Sequence, residues 1–310
     1  MKTYTVSEPF LDVRCELAEG LYWEASEGEN HLRFVDIVKQ DVYRVDLARG
    51  PEALTKRSLD TSISVTADIA DSKDAFIFGG KRGIGIASKL ESEKYHRYVK
   101  GFWEGDDDAD AKYHSMRAND GAVDSQGRFW VGVVNDPLVT EFAPVGALFR
   151  YDLDGSLHRV LDSVTIPNGL SWSLDDRTMY FTDSPTRCIY AFDFAAESGT
   201  VSNRRVFFQV PEGEGVPDGH AQDILGNLWV ALWGGWKVVG ISPTGEVFAE
   251  IKLPIRCPTV TGEDLYVGSE ADPELHKYPD SARYQGAIFR CPIGIRGRKP
   301  NLARVKVNMP

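Results

Sequence analysis

The sequence predicts an all-β protein, a six-bladed β-propeller in which residues 1–310 form a single domain. Three observations support this prediction. Helical periodicity is nowhere sustained, one strand-and-turn unit recurs six times, and glycine and proline, the residues of tight turns, are spread along the chain. All-β folds often exceed about 200 residues as one unit, so the length is compatible with a single domain.

Each of the six repeats contains a polar turn, a short apolar and aromatic run, and then a small residue or aspartate. In the third repeat, the polar segment 124–128 precedes the apolar segment 129–132. The runs begin at Leu32, Ala75, Phe129, Met179, Leu228 and Leu265, with spacings of 43, 54, 50, 49 and 37 residues. Propeller blades repeat every 40–50 residues or so. A two-sheet sandwich also contains many short strands, but it would not repeat one unit six times.

Composition and charge exclude several function classes. The net charge of −11 argues against nucleic acid or an anionic membrane as a partner, since both need a basic surface. The first residues lack the apolar core of a signal peptide, and no apolar run approaches the roughly 18 residues of a membrane span. Four widely spaced cysteines predict buried, reduced thiols in a cytoplasmic protein, with a disulfide or a zinc cluster as the alternative.

Oxygen-bearing side chains occur at similar distances upstream of four of the six runs. They are Glu19, Asn119, Asn168 and Asp218, which precede the first apolar residue of their run by 13, 10, 11 and 10 residues. The innermost strand of a blade comes just before the strand formed by the run, so these side chains should meet around the central channel. One Asn-Gly or Asp-Gly pair alone is ordinarily a turn signal, but four in phase favour a shared site.

Two carboxylates with one or two amide oxygens suit a hard cation such as Ca²⁺, Mg²⁺ or Mn²⁺, with Zn²⁺ as an alternative. The fold class that we expect is therefore a six-bladed β-propeller with a metal site in its central channel. The sequence offers no Gly-x-Ser-x-Gly motif, and its six histidines are scattered, so a serine-triad or zinc-hydrolase reading is disfavoured.

Short motifs along nearly the whole chain occur in the order found in one known family. They lie at 18–23, 32–37, 117–121, 166–172, 216–219 and 226–231. With these motifs the sequence resembles the SMP-30/gluconolactonase/luciferin-regenerating-enzyme family, the group that contains regucalcin. The resemblance implies one divalent cation held by Glu19, Asn168 and Asp218. We expect this cation to be Ca²⁺, with Zn²⁺, Mn²⁺ or Mg²⁺ as alternatives. The resemblance also implies that Arg117 and Asn119 face the substrate and that Asp218 acts as general base.

Two further residues are candidates for substrate contact. Asp120 lies within the 117–121 motif, and His220 stands where the family more often has an apolar residue. Strand alternation would place His220 on the same face as Asp218, where it could tune the base or contact the substrate, although a structural histidine is the simpler interpretation. Leu21 replaces the usual proline of the first motif, and segment 254–262 lacks the family's Phe-Gly-Gly stretch, which leaves that pocket wall undefined.

The function that we expect is metal-dependent hydrolysis of a sugar (aldono-) lactone. Such a reaction needs an electrophile at the carbonyl oxygen, an activated water and stabilisation of the oxyanion. Arg117 offers several donors to sugar hydroxyls, and the partner would be a small-molecule lactone bound by a monomer or small homo-oligomer. Two alternatives stay open: a non-catalytic calcium-binding or regulatory propeller, and an aryl-ester or organophosphate hydrolase on the same scaffold.

Overall fold

A computed structural model describes residues 1–24, 30–90, 96–261 and 265–305. The turns expected at 27–29 and 262–264 lie outside the described residues, as does the last residue of segment 254–262. In the remainder, the strands form antiparallel sheets, each built largely from one sequence repeat. The apolar runs identified in the sequence form the second strand of each sheet, as expected.

The chain begins with strand β1 (Lys2–Thr5) and then forms three four-stranded sheets in succession. Blade 1 contains β2 (Ala18–Glu24), β3 (His31–Asp36), β4 (Asp41–Asp46) and β5 (Leu54–Ser58). Blade 2 contains β6 (Ile63–Asp68), β7 (Ala75–Gly80), β8 (Gly83–Ser88) and β9 (His96–Gly101). Blade 3 contains β10 (Met116–Val123), β11 (Phe129–Asn135), β12 (Gly146–Tyr151) and β13 (Leu157–Val164).

Two further blades and one three-stranded sheet follow. Blade 4 contains β14 (Pro167–Trp172), β15 (Thr178–Asp183), β16 (Cys188–Ala195) and β17 (Thr200–Gln209). Blade 5 contains β18 (Val216–Gln222), β19 (Leu228–Trp233), β20 (Lys237–Ile241) and β21 (Val247–Lys252), with β1 added in parallel on β21. The closing sheet contains β22 (Pro258–Thr261), β23 (Leu265–Ser269) and β24 (Phe289–Cys291). Helical segments are α1 (Ala109–Ser115) and 3₁₀ turns at Pro51–Ala53, Ser184–Thr186 and Pro279–Arg283.

The expectation of six blades is wrong and is corrected to five complete blades. Only the first five sheets have the four strands of a full blade, and the last repeat forms just three strands in the described part of the chain. The reason is that the chain after β24, as far as residue 305, does not turn back to add a strand. It runs across other blades instead, where Gly297 forms an isolated bridge to Asp223 and Ala303 one to Ile69.

The first strands of the sheets line the central channel. Along the ring, β2 packs against β6, β6 against β10, β10 against β14 and β14 against β18, and β22 fills the gap between β18 and β2. The second strands lie between neighbouring sheets and are buried on both faces, as in the fully buried β7 and β11. Outer strands such as β17 are largely exposed. Apolar burial is therefore concentrated between the blades, and this packing holds the channel walls in place.

A buried aspartate braces the turn before the second strand in two blades. In blade 3, Asp124 accepts hydrogen bonds from the Gln126 and Arg128 amides, both at 3.0 Å, and from Trp130 Nε1 at 2.9 Å. In blade 5, Asp223 accepts from the Leu225 and Asn227 amides and from Trp229 Nε1, at 2.9, 3.0 and 3.0 Å. The polar turn recognised in the sequence is thus tied to the apolar strand that follows it.

The predicted burial of the cysteines is confirmed: all four thiols are buried, and none forms a disulfide within the described part of the chain. Within the described residues, no helix combines the length and the apolar character that crossing a bilayer would need.

Candidate active site

The predicted site residues lie on the first strands of blades 1, 3, 4 and 5, next to irregularities in strand pairing. The register shifts between Glu19 and Tyr22, between Ala118 and Gly121, between Asn168 and Leu170, and between Pro217 and His220. A β-bulge leaves a residue outside the regular ladder and redirects its side chain. The four bulges therefore allow polar side chains to leave the regular alternation of their strands at the same level of the channel.

Glycine is needed at the first of these bulges. Gly20 has φ +55°, and a Cβ atom there would lie 2.3 Å from the carbonyl oxygen of Ser64. A side chain would therefore force β2 away from β6. Ser64 itself occupies a bulge of blade 2, and its hydroxyl donates to the Ala118 carbonyl at 2.6 Å. The sequence analysis did not single out this serine, although it precedes Ala75 by a comparable number of residues.

Three carboxylates interact electrostatically in the channel. Burial, followed by repulsion from Asp218 and Asp120, raises the pKa of Glu19 well above its usual range. Burial, followed by Asp120 and Glu270, raises the pKa of Asp218 in the same way. Burial raises the pKa of Asp120 to about 6, although its Oδ1 accepts the Gly121 amide at 2.7 Å. The fold thus concentrates negative charge where water screens it poorly.

A chain of hydrogen bonds joins the other predicted residues. Asn168 donates from Nδ2 to Ser184 Oγ at 2.8 Å, which orients the amide, and its Oδ1 accepts from Asn119 Nδ2 at 3.0 Å. Asn119 Nδ2 also donates to the Pro167 carbonyl at 3.0 Å, and its Oδ1 accepts from Arg117 Nη1 at 2.9 Å. Asn119 therefore links the guanidinium to the Asn168 amide, with both ends of its own amide engaged.

Arg117 is the positively charged residue whose charge favours the ionised form of Glu19. It is 5% exposed, and burial lowers its pKa while Asp136, Glu19 and Glu270 oppose that effect. Its Nη1 also donates to the Ala118 carbonyl at 2.8 Å, and its Nε lies 3.9 Å from Asp136 Oδ1. Nη2 makes no hydrogen bond to another described residue and stays available to a ligand.

A cavity of ≈ 170 Å³ extends from Glu19 along the first strands toward the C-terminal segment. Asp120, Ser171, His220 and Arg298 are among its lining residues. His220 Nε2 lies 2.7 Å from Ser171 Oγ, while Nδ1 has no hydrogen-bond partner in the described part of the chain. Burial lowers the pKa of His220 to about 4, so its ring is neutral at physiological pH.

Glu270 is a second residue near the site, besides Ser64, that the sequence analysis did not single out. Glu270 follows β23, and burial, opposed by the Trp233 hydrogen bond and by Arg117, raises its pKa. The charge of Glu270 also raises the pKa of Asp218 and favours the charged form of Arg117. The spacing rule could not find Glu270, because this residue follows a second strand whereas the others belong to first strands.

A metal centre is not shown by the described residues. They contain no group of three or more histidine, cysteine, aspartate or glutamate side chains arranged to hold an ion. The predicted ligand set has only two such residues, Glu19 and Asp218, and its third member is the amide of Asn168. Its chemistry nevertheless suits a hard cation, because it combines two poorly compensated carboxylates with an oriented amide oxygen.

Comparison with known proteins shows what the chain is similar to. The family model described as SMP-30/Gluconolactonase/LRE-like region matches residues 17–270. "Putative sugar lactone lactonase YvrE" of Bacillus subtilis is 30% identical over 300 residues, covering 93% of this chain and 95% of that protein. A Sulfolobus acidocaldarius protein is 47% identical over 157 residues, which are 50% of this chain and only 55% of that relative.

Solved structures agree with the sequence comparison. A luciferin-regenerating enzyme superposes with a TM-score of 0.83 at 25% identity, covering 96% of this chain and 98% of that one. The family model covers far more than half of the chain, and the resemblance noted in the motifs is confirmed. The chain belongs to the SMP-30/gluconolactonase/LRE-like family.

Proposed function

We propose that the protein hydrolyses a sugar (aldono-) lactone with the help of one bound divalent cation. Family membership supports a lactonase function, and the similar Bacillus subtilis protein carries a sugar lactone lactonase name. The observation that carries the proposal is the convergence of Glu19, Asp120 and Asp218 in one buried part of the channel beside Arg117.

The residues that would hold the cation are Glu19, Asn168 and Asp218. Keeping two repelling carboxylates buried disfavours their ionised forms, and a divalent charge would offset both burial and repulsion. When bound, such a cation polarises the lactone carbonyl and stabilises negative charge on its oxygen. Ca²⁺ is our first expectation, because hard oxygen ligands with mixed carboxylate and amide character suit it.

Asp218 is the proposed general base. In hydrolysis the oxygen of water bonds to the carbonyl carbon, the ester bond to the ring oxygen breaks, and the ring oxygen gains a proton. Asp218 would take the proton of the attacking water and return one to the departing alkoxide, leaving a hydroxy acid. A carboxylate that contacts both the cation and the attacking water is placed to take that proton.

The remaining predicted residues would orient the lactone. Arg117 has Nη2 available for a ring hydroxyl, and Asn119 keeps that guanidinium aligned with Asn168. Asp120 and His220 line the cavity next to Glu19, where we propose that they hold water or a substrate hydroxyl. Because burial keeps His220 neutral, it can accept or donate there without adding charge.

The test is proton release on a panel of five- and six-membered sugar lactones, aryl esters and phosphotriesters, before and after chelation and with single cations restored. Sugar lactones should be the best substrates. Asp218→Asn should lower kcat by about 10²–10⁴-fold, the usual contribution of a general base. The exposed Asp162→Asn serves as the matched control. A chelated protein of full activity, or a fully active Asp218→Asn, would refute the proposal, and faster phosphotriester turnover would replace it.

A further inference from the structure

Glu270 directly follows β23, which pairs with β22, so it adjoins segment 254–262, whose pocket wall the sequence left undefined. Its backbone forms an isolated bridge to Leu17, two residues before Glu19, and its amide donates to the Cys257 carbonyl at 3.1 Å. The closing sheet therefore brings Glu270 beside the start of β2, the strand that carries Glu19.

The Glu270 side chain is held in one orientation. Trp233 Nε1 donates to Glu270 Oε2 at 2.5 Å, and Trp233 is paired in the sheet with Val216, two residues before Asp218. Glu270 Oε1 accepts no hydrogen bond from any described residue. One carboxylate oxygen is thus anchored, while the other stays free for a ligand.

Arg256 supports this arrangement from the far side of the tryptophan. Its guanidinium lies 5.1 Å from the Trp233 ring centroid and donates to both Asp272 oxygens at 2.8 Å. The Arg256 side chain is only 5% exposed, so its charge is already paired within the wall. Arg256 therefore packs against Trp233, and the charges of Arg256 and Arg117 both favour the ionised form of Glu270.

The charge of Glu270 acts on the proposed reaction centre. It is among the groups that raise the pKa of Asp218, and it favours the charged form of Arg117. It is no member of the proposed ligand set of Glu19, Asn168 and Asp218. A carboxylate with one oxygen anchored and the other unpaired accepts hydrogen bonds from hydroxyl groups and repels anions.

We propose that Glu270 is a specificity-determining residue that selects neutral, hydroxyl-bearing lactones and disfavours anionic ligands, including the carboxylate product. The inference rests on the proposed lactonase function and narrows its substrate class. Hydrolysis turns a neutral lactone into an acid that ionises at neutral pH. One carboxylate on the wall therefore favours the substrate through hydrogen bonds and the release of the product through repulsion.

The test compares wild type with Glu270→Gln, using the cation-loaded protein and three probes: gluconolactone, glucarolactone with its free carboxylate, and gluconate as inhibitor. The amide keeps an acceptor for Trp233 and loses the charge. KM for gluconolactone should rise about fivefold, since a charged acceptor becomes a neutral one. Glucarolactone should gain relative to gluconolactone by a similar factor, and gluconate should inhibit about tenfold more strongly.

The exposed Glu246→Gln, in the turn between β20 and β21, is the matched control and should leave all three values unchanged. If wild type hydrolyses lactones and Glu270→Gln matches it within twofold on all three probes, the inference is wrong while the lactonase function stands. If wild type hydrolyses no lactone, the proposed function fails. Calorimetry with gluconate then still decides, because equal affinity in both proteins overturns the role of Glu270.

Discussion

Asp120→Asn should stabilise the cation-free protein at neutral pH. Burial raises the pKa of Asp120 from 3.8 to about 6, so ionising it is harder in the folded chain than in the unfolded chain. The difference is about 2 pKa units, and at about 1.4 kcal/mol per unit it costs the folded state at most about 3 kcal/mol above pH 6. The asparagine keeps an oxygen for the Gly121 amide and removes the charge that repels Glu19 and Asp218.

The pH dependence follows from the direction of the shift. Below pH 3.8 the aspartate is protonated in both states, and the cost is absent. Between pH 3.8 and about 6 the unfolded chain loses its proton first, so wild-type stability falls as pH rises. The stabilisation by Asp120→Asn should therefore be full at pH 7.5 and vanish near pH 3.5. Urea titrations with a chelator present measure this stabilisation as the difference in free energy of unfolding between Asp120→Asn and wild type.

The exposed Asp162→Asn controls for a change of net charge and should leave the urea midpoint unchanged at both pH values. Restoring the cation should shrink the advantage of Asp120→Asn, since a divalent charge near Glu19 and Asp218 compensates the same repulsion. An Asp120→Asn variant that is less stable than wild type at pH 7.5, or equally stabilised at pH 3.5, would refute the reasoning.

Two further predictions concern the scaffold. Asp124→Ala and Asp223→Ala should each lower the free energy of unfolding by about 3 kcal/mol or more, because each change leaves several buried donors unpaired, including an indole N–H. Urea unfolding measures this loss, and a loss below about 1 kcal/mol would contradict the prediction. Gly20→Ala should lower both the free energy of unfolding and kcat for lactone hydrolysis, because the new Cβ atom would collide with β6. Gly213→Ala is the control: Gly213 also has a positive φ but no atom near its Cβ position, so this change should lower stability alone. A Gly20→Ala protein with the wild-type urea midpoint and kcat would be inconsistent with the close approach of β2 and β6.

The repeat predicted much of the fold, because the second strand of each blade is largely buried and consists mainly of apolar residues. The polar residues of the first strands could be located for a related reason: only a few residues separate each first strand from the second strand of the same sheet, so the spacing is nearly constant. Ser64 has that same spacing from Ala75, but a serine is too common in strands to attract attention.

Other features depend on tertiary contacts that spacing does not encode. The number of full blades was overestimated, because the sixth repeat has the apolar run of a blade and yet forms only three strands in the residues that the structure describes. Glu270 became visible only when the closing sheet placed it beside Leu17 and Trp233. The bulges shift the register between Pro217 and His220, so simple alternation does not describe where those side chains point.

The pairing of β1 with β21 has a consequence for the order of folding. Thr3 and Glu250 are neighbours in the sheet although 247 positions separate them along the chain. β1 therefore cannot pair until β21, which lies far later in the chain, has been synthesised. Until β1 pairs with it, β21 forms an open edge of blade 5, and pairing between segments so distant in sequence is slow to form. Deletion of β1 should therefore slow the completion of blade 5 and increase aggregation at a late stage of folding.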